Sequence, residues 1–129
     1  LHGSSLSPSI YSVMGLKVGD DSKAYRYLRR AAFLDLLNMQ GNTREGVHAA
    51  NTGGVWQTIV FGFAGVSQRE DGMLKVCPNM PKEWQKLSFR LHYRDAWLEI
   101  TSDGSNQAEV RRLAGDPVEA EVNGSVKTI

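Results

Sequence analysis

The chain has 129 residues, a formal net charge of +1, 41% hydrophobic and 22% charged residues, enough for one globular domain or two small halves. Near-neutral charge gives no general attraction to nucleic acid or a membrane surface. The lone Cys77 excludes an internal disulfide, no Cys/His spacing suits zinc, and no apolar run approaches the ~18 residues of a membrane span. A reducing, cytoplasmic setting with no metal is the expectation. Nothing has the form of a signal peptide, and Leu1 in place of Met leads us to expect a natural start upstream, or one that was removed.

The first nine residues read LHGSSLSPS, a Gly/Ser loop. Ser7 followed by Pro8 has the chemistry of an N-cap and first helical residue, since the hydroxyl accepts an orphan N–H and proline has none to lose. Ile10, Val13 and Met14 then recur at helical spacing until Gly19-Asp20-Asp21 stops the run. Asp20, Asp21 or Ser22 caps a second helix. On it Ala24, Tyr27, Leu28, Ala31, Leu34 and Leu37 or Asn38 form one apolar stripe, with Lys23, Arg26, Arg29 and Arg30 on other faces. Asn38 to Gly46 is a connecting loop. A third helix is expected from about Thr52 to Phe63 (TGGVWQTIVFGF), apolar nearly all round and so buried on most sides.

After Gly65 the period changes from helical to alternating. Asp71-Gly72 is a hairpin signal between Val66–Arg69 and Met73–Val76. Leu87, Phe89, Leu91 and Tyr93 alternate with polar residues, as do Ala96, Leu98 and Ile100, the pattern of half-buried antiparallel strands. Further strands are expected at Gln107–Leu113 and Val118–Val122, with Asn123-Gly124 as a tight turn. Helices first and strands second point to two domains or an α+β arrangement, and α+β is the expected class. Three helices, one apolar all round, either pack on the small β half or need further helices upstream, and the second is the expectation.

Two loops invite chemistry. His2-Gly3-Ser4-Ser5 runs into a helix N-terminus, where free N–H groups, hydroxyls and the positive end of the dipole suit an anion such as phosphate. Glu45-Gly46-Val47-His48 repeats that logic before Gly53-Gly54, a pair that lets a ligand or a backbone come close. Either loop also serves as an ordinary cap with a structural histidine. Glu45 is the one carboxylate near them, and no second carboxylate makes a glycosidase pair with it. Trp56, Trp84 and Trp97 are candidates for sugar stacking or for core, and Arg29-Arg30 and Arg111-Arg112 for solvated faces. No phosphate-binding Walker loop, dinucleotide fingerprint or Ser-His-Asp signature is present.

The segments HGSSLSPSIYS, GDDSKAYRYLRRAAFLDL, NTREGVHAANTGGVWQTIVFGFAG and DGMLKVCPNMPKEWQKLSFRLHYR, in that order, resemble the C-terminal part of glycoside hydrolase family 65, the family of maltose, trehalose and kojibiose phosphorylases. The resemblance runs to about Ile100. It implies the last helices of an (α/α)6 barrel over residues 1–65, then a small antiparallel β-sheet or sandwich domain over 66–129. It implies phosphorolysis of an α-linked glucose disaccharide with inversion, giving β-glucose 1-phosphate. Inorganic phosphate is then the co-substrate and no cofactor is used. The parent is expected to be a homodimer without nucleic-acid or membrane partners.

By the same resemblance Ser4 and Ser5 match paired serines that hold phosphate, His48 a phosphate-contacting histidine, and Gly53 and Gly54 the small residues beside it. The general-acid Glu of the family lies upstream, so Glu45 does not inherit that role, and the piece alone is expected to be inactive. The chain is expected to have been cut just before its phosphate loop. A hydrolase of the same family and a non-catalytic carbohydrate-binding module stay open as alternatives.

Overall fold

The computed structural model describes residues 4–129, in two compact units, Leu1–Gly62 and Phe63–Ile129. The first is helical: α1 (Ser7–Lys17), α2 (Asp21–Ala32) and α3 (Ala49–Gln57). The second holds seven strands, so the chain is α+β as its periodicities imply.

The cap of α1 falls one residue earlier than expected. Leu6 is the N-cap, Ser7 is already helical, and the Ser4 hydroxyl accepts the Leu6 N–H at 3.3 Å. The apolar spacing of α1 also misidentifies its inner face. Ile10 and Met14 are exposed, whereas Pro8, Ser9, Ser12 and Gly15 are buried. Small residues let the backbones close in. A Cβ on Gly15 would sit 3.1 Å from that of Ala24, and the Ser12 hydroxyl donates to the Ala24 carbonyl at 2.6 Å. Asp20 caps α2 by accepting the Lys23 N–H at 3.0 Å, while Arg29 and Arg30 complement the dipole in its last turn. The expected stripe holds at Ala24, Leu28, Ala31 and Leu34. It fails at Leu37, because the helix ends at Ala32 and Asn38 turns the chain with a φ of 46°.

The third helix starts three residues before Thr52 and widens into a π-helical turn over Thr58–Phe63. It is not buried on most sides. Asn51, Thr58 and Val60 face inward, and exposed Trp56 and Phe61 pack edge to face at 5.4 Å. The Thr58 hydroxyl lies 3.2 Å from the Ser9 carbonyl, and Gly62 lies against Leu16 and Val13. Helices α1 and α3 therefore run the same way. Tyr11 stacks on Tyr27 and Asn51 donates to the Ala31 carbonyl at 2.8 Å, so α2 runs against both. The starts of α1 and α3 and the end of α2 share one end of the unit.

In the β unit, β1 (Val66–Gln68) and β2 (Leu74–Val76) form the hairpin signalled by Asp71-Gly72. Strands β3 (Leu87–Tyr93), β4 (Ala96–Ser102) and β5 (Ala108–Ala114) make an antiparallel three-stranded sheet. Strand β6 (Glu119–Val122) returns to the first hairpin, and β7 (Ser125–Thr128) pairs with it across Asn123-Gly124, both at positive φ as a two-residue I′ turn requires. The sheet order is β1-β2-β6-β7, and β2 pairs with β6 in parallel. This corrects the all-antiparallel expectation: a long-range return of the chain, which no local turn signal encodes, sets that pairing. The Asn123 side chain exchanges two 2.9 Å hydrogen bonds with the Ala108 backbone and ties β5 to the β6–β7 turn. Leu74, Val76, Leu98, Ile100, Ala120 and Val122 form the core. At the entrance, Gly65 has a φ of 63°, and a Cβ there would lie 1.8 Å from the Cys77 carbonyl oxygen, so only glycine fits.

Candidate functional site

The shared end of the helical unit carries both sequence-predicted loops. Ser4, exposed, and Ser5, half-buried, lead into α1, while His48 is the N-cap of α3. His2 and Gly3 of the first loop lie outside the described residues. At each helix start the backbone N–H groups lack carbonyls one turn earlier, and the aligned peptide dipoles favour an anion.

His48 is the best-defined group. Its Nδ1 lies 2.5 Å from Asp35 Oδ1, and its own backbone N–H donates to Asp35 Oδ2 at 2.8 Å. Both side chains are mostly buried, with 21% and 15% exposure. The ring hydrogen bond, then the backbone one, holds the Asp35 carboxyl below its ordinary range. On the other side of the ring, Nε2 lies 3.5 Å from the Asn42 amide nitrogen, and Asn42 Oδ1 is buried without a partner among the described residues. Asp35 sits on the turn after α2. Thr43 ties that turn to the next loop, donating from its hydroxyl to Asp35 O at 3.3 Å and from its N–H to Asn38 Oδ1 at 3.1 Å.

Asp35 is the carboxylate that sequence reasoning missed. Glu45, the one identified beside these loops, is exposed on a single 3-10 turn, Thr43–Glu45. The 13-residue separation of Asp35 and His48 matches no motif, and Asp35 sits inside the FLDL run read as helix. A signal was present only in the breakdown of the stripe after Leu34.

Gly53 and Gly54 do not open α3. They are its fifth and sixth residues, where an N–H already bonds one turn back, so they supply space and not donors. A Cβ on Gly54 would fall 2.7 Å from Ser9 Oγ, which marks it as a packing residue between α1 and α3. Gly53 has nothing within 4 Å. Beside Asp35, a cleft of about 260 Å³ is lined by Ala31, Leu36, Val47, Asn51 and Val55.

Trp56 stands on α3, Trp84 packs on Phe63 at 5.3 Å, and Trp97 pairs with His92 at 5.0 Å on the outer face of the three-stranded sheet. Arg111 is exposed and pairs with Glu99 at 2.8 Å. Among the described residues no group of three or more His, Cys, Asp or Glu side chains is placed to hold a metal ion, and no helix is long and apolar enough to cross a membrane.

Residues 1–57 match the model of the glycosyl hydrolase family 65 central catalytic domain, and residues 68–129 that of the family's C-terminal domain. A kojibiose phosphorylase of Caldanaerobacter subterraneus subsp. tengcongensis is 44% identical over 96% of this chain and 16% of its own length. An α,α-trehalose phosphorylase of Geobacillus stearothermophilus is 40% identical over 95% of the chain and again 16% of its own. In three dimensions, a human-microbiome protein provisionally named a kojibiose phosphorylase superposes with a TM-score of 0.88 at 29% identity, covering all of this chain and 17% of that one. The chain thus spans about a sixth of the length of these relatives. By both domain models and by relatives aligned along nearly its whole length, the chain belongs to glycosyl hydrolase family 65.

Proposed function

We propose that the full-length protein is an inverting α-glucoside phosphorylase, and that this chain supplies its phosphate-binding loops. The observation that carries the reading is the pairing of two helix starts at one end of the helical unit, with Ser4 and Ser5 before one and His48 capping the other. Hydroxyls, amides and an imidazole there suit inorganic phosphate. Gly53 keeps the adjacent face of α3 open. Residues 1–65 then belong to the helical barrel, and residues 66–129 form the β domain that follows it.

In the reaction, phosphate waits on the face of the glucose opposite the leaving sugar. One phosphate oxygen attacks the anomeric carbon as the glycosidic C–O bond breaks, and an upstream Glu gives its proton to the departing oxygen. The products are β-glucose 1-phosphate and a free sugar. The loops act by positioning: they hold the dianion in line and partly neutralise it, leaving one oxygen free to attack. The general acid is not in this chain, so the chain alone has no turnover.

The test uses the full-length protein with a panel of α-linked glucose disaccharides, with and without inorganic phosphate, followed by phosphorus and proton NMR. The expected result is β-glucose 1-phosphate from one disaccharide, only when phosphate is present. Free glucose formed equally without phosphate would instead make the protein a hydrolase of the same family.

A further inference from the structure

We propose that Asp35 is the positioning residue of the phosphate site: its carboxylate fixes Nδ1 of His48 as a proton-bearing nitrogen and aims Nε2 at the anion. The inference rests on the reading of His48 as a phosphate contact. It begins from the double attachment, with Oδ1 of Asp35 on Nδ1 at 2.5 Å and Oδ2 on the backbone N–H of the same histidine at 2.8 Å. An ionised carboxylate can only accept, so the Nδ1 proton belongs to the ring. Two bonds from one carboxylate to the two ends of one residue fix both the backbone and the ring plane. Such a histidine is oriented before its ligand arrives.

The far side of the ring faces Asn42. With only Nδ1 protonated, Nε2 bears a lone pair, and the Asn42 amide nitrogen stands 3.5 Å away to donate to it. An anion held by Nε2 needs a proton there as well, on a ring whose positive charge Asp35 balances. The anion therefore takes the place of the Asn42 amide at Nε2. Asn42 carries a buried Oδ1 with no partner among the described residues. Thr43, bonded to the Asp35 carbonyl and to Asn38, anchors the turn that carries the carboxylate. Glu45 is exposed and takes no part.

The experiment is steady-state kinetics of the full-length enzyme, varying phosphate and disaccharide separately in Asp35→Ala, Asp35→Asn, His48→Ala and the Asp35→Ala/His48→Ala double variant. Asp35→Ala is expected to raise the phosphate KM about ten- to a hundredfold, the usual cost of losing a residue that orients a ligand-binding histidine. The disaccharide KM stays within about twofold. The double variant is no worse than His48→Ala alone, because Asp35 acts only through that ring.

Asp35→Asn preserves volume and one acceptor, so it folds where Ala does not. It raises the phosphate KM at least about threefold, and in enzyme labelled with nitrogen-15 histidine it moves the His48 ring resonances away from the Nδ1–H pattern. Unchanged phosphate KM in both Asp35 variants, or multiplied losses in the double variant, would overturn the inference while His48→Ala still impairs phosphate use. Equal loss of phosphate and sugar affinity would reduce Asp35 to a structural residue and overturn it too. An unaltered phosphate KM in His48→Ala would instead remove the phosphate reading itself.

Discussion

The two units bury different things. The β unit encloses large apolar side chains, with Leu98 and Val76 wholly inaccessible and Ile100 and Val122 nearly so. The helical unit encloses Leu28, Leu34 and Val60 but otherwise small or polar residues, Ser9, Ser12, Gly15, Ala24, Ala31 and Asn51, and leaves Leu6, Ile10, Met14, Val18, Leu36 and Trp56 outside. A sheet core made of branched and aliphatic residues closes on itself. Small-residue contacts bring helices close but remove little apolar area from water, so the helical unit has less to hold it together. Exposed apolar faces on this scale mark surfaces that are normally covered. The relatives, about six times longer, have the chain to cover them.

This contrast can be broken most severely by separating the units. Residues 63–129 alone are expected to unfold cooperatively by circular dichroism. Residues 4–62 alone are expected to bind a hydrophobic dye and melt without a clear transition.

Within the β unit, Gly65→Ala is expected to cost about 4 kcal/mol in urea denaturation, from a left-handed backbone and a Cβ against the Cys77 carbonyl. Leu98→Ala follows at about 3 kcal/mol as a buried cavity. Its counterpart Ile10→Ala, 57% exposed, changes the stability of this chain by less than about 0.5 kcal/mol. In the full-length protein proposed above the same substitution is expected to cost more if further helices cover α1. A negligible effect there too would mean that α1 faces water in the whole enzyme.

The smallest effect is electrostatic. Hydrogen bonds from His48 hold Asp35 below its usual 3.8, and Lys75, aided by Arg69, holds Glu121 below 4.5. A carboxylate depressed in the folded state contributes its stability above the unfolded pKa and loses it as pH falls through the folded one. Asp35→Asn and Glu121→Gln are therefore expected to melt below the parent at pH 6. The gap narrows as the pH falls below about 4 and closes only below the folded pKa of each carboxylate, where the parent's own group is protonated. A gap that stays constant as the pH falls from about 4 toward 2 would mean that packing, not charge, is what the substitutions remove.

The same contrast explains what was legible in the sequence. Period-two alternation in β3 and β4, and the Asp71-Gly72 and Asn123-Gly124 turns, are local signals, and all reappear in the structure. So does the Asp20 cap. Helix α1 defeats the apolar pattern because its inner face is built from Ser9, Ser12 and Gly15, which carry no hydrophobic signal. The parallel β2–β6 pair joins residues more than forty apart, beyond the reach of any turn rule. At the site, His48 and the serine loop were visible as residue types before helices. Asp35 was not, since only the turn after Ala32 brings it under His48.

The most direct test of the phosphate loops is separate saturation by phosphate and by disaccharide of the full-length enzyme carrying Ser4→Ala and Ser5→Ala. If the serine pair holds phosphate, the phosphate KM rises at least about tenfold while the disaccharide KM hardly moves. If phosphate saturation is untouched, the loop before α1 has another job and the site has been placed at the wrong helix end.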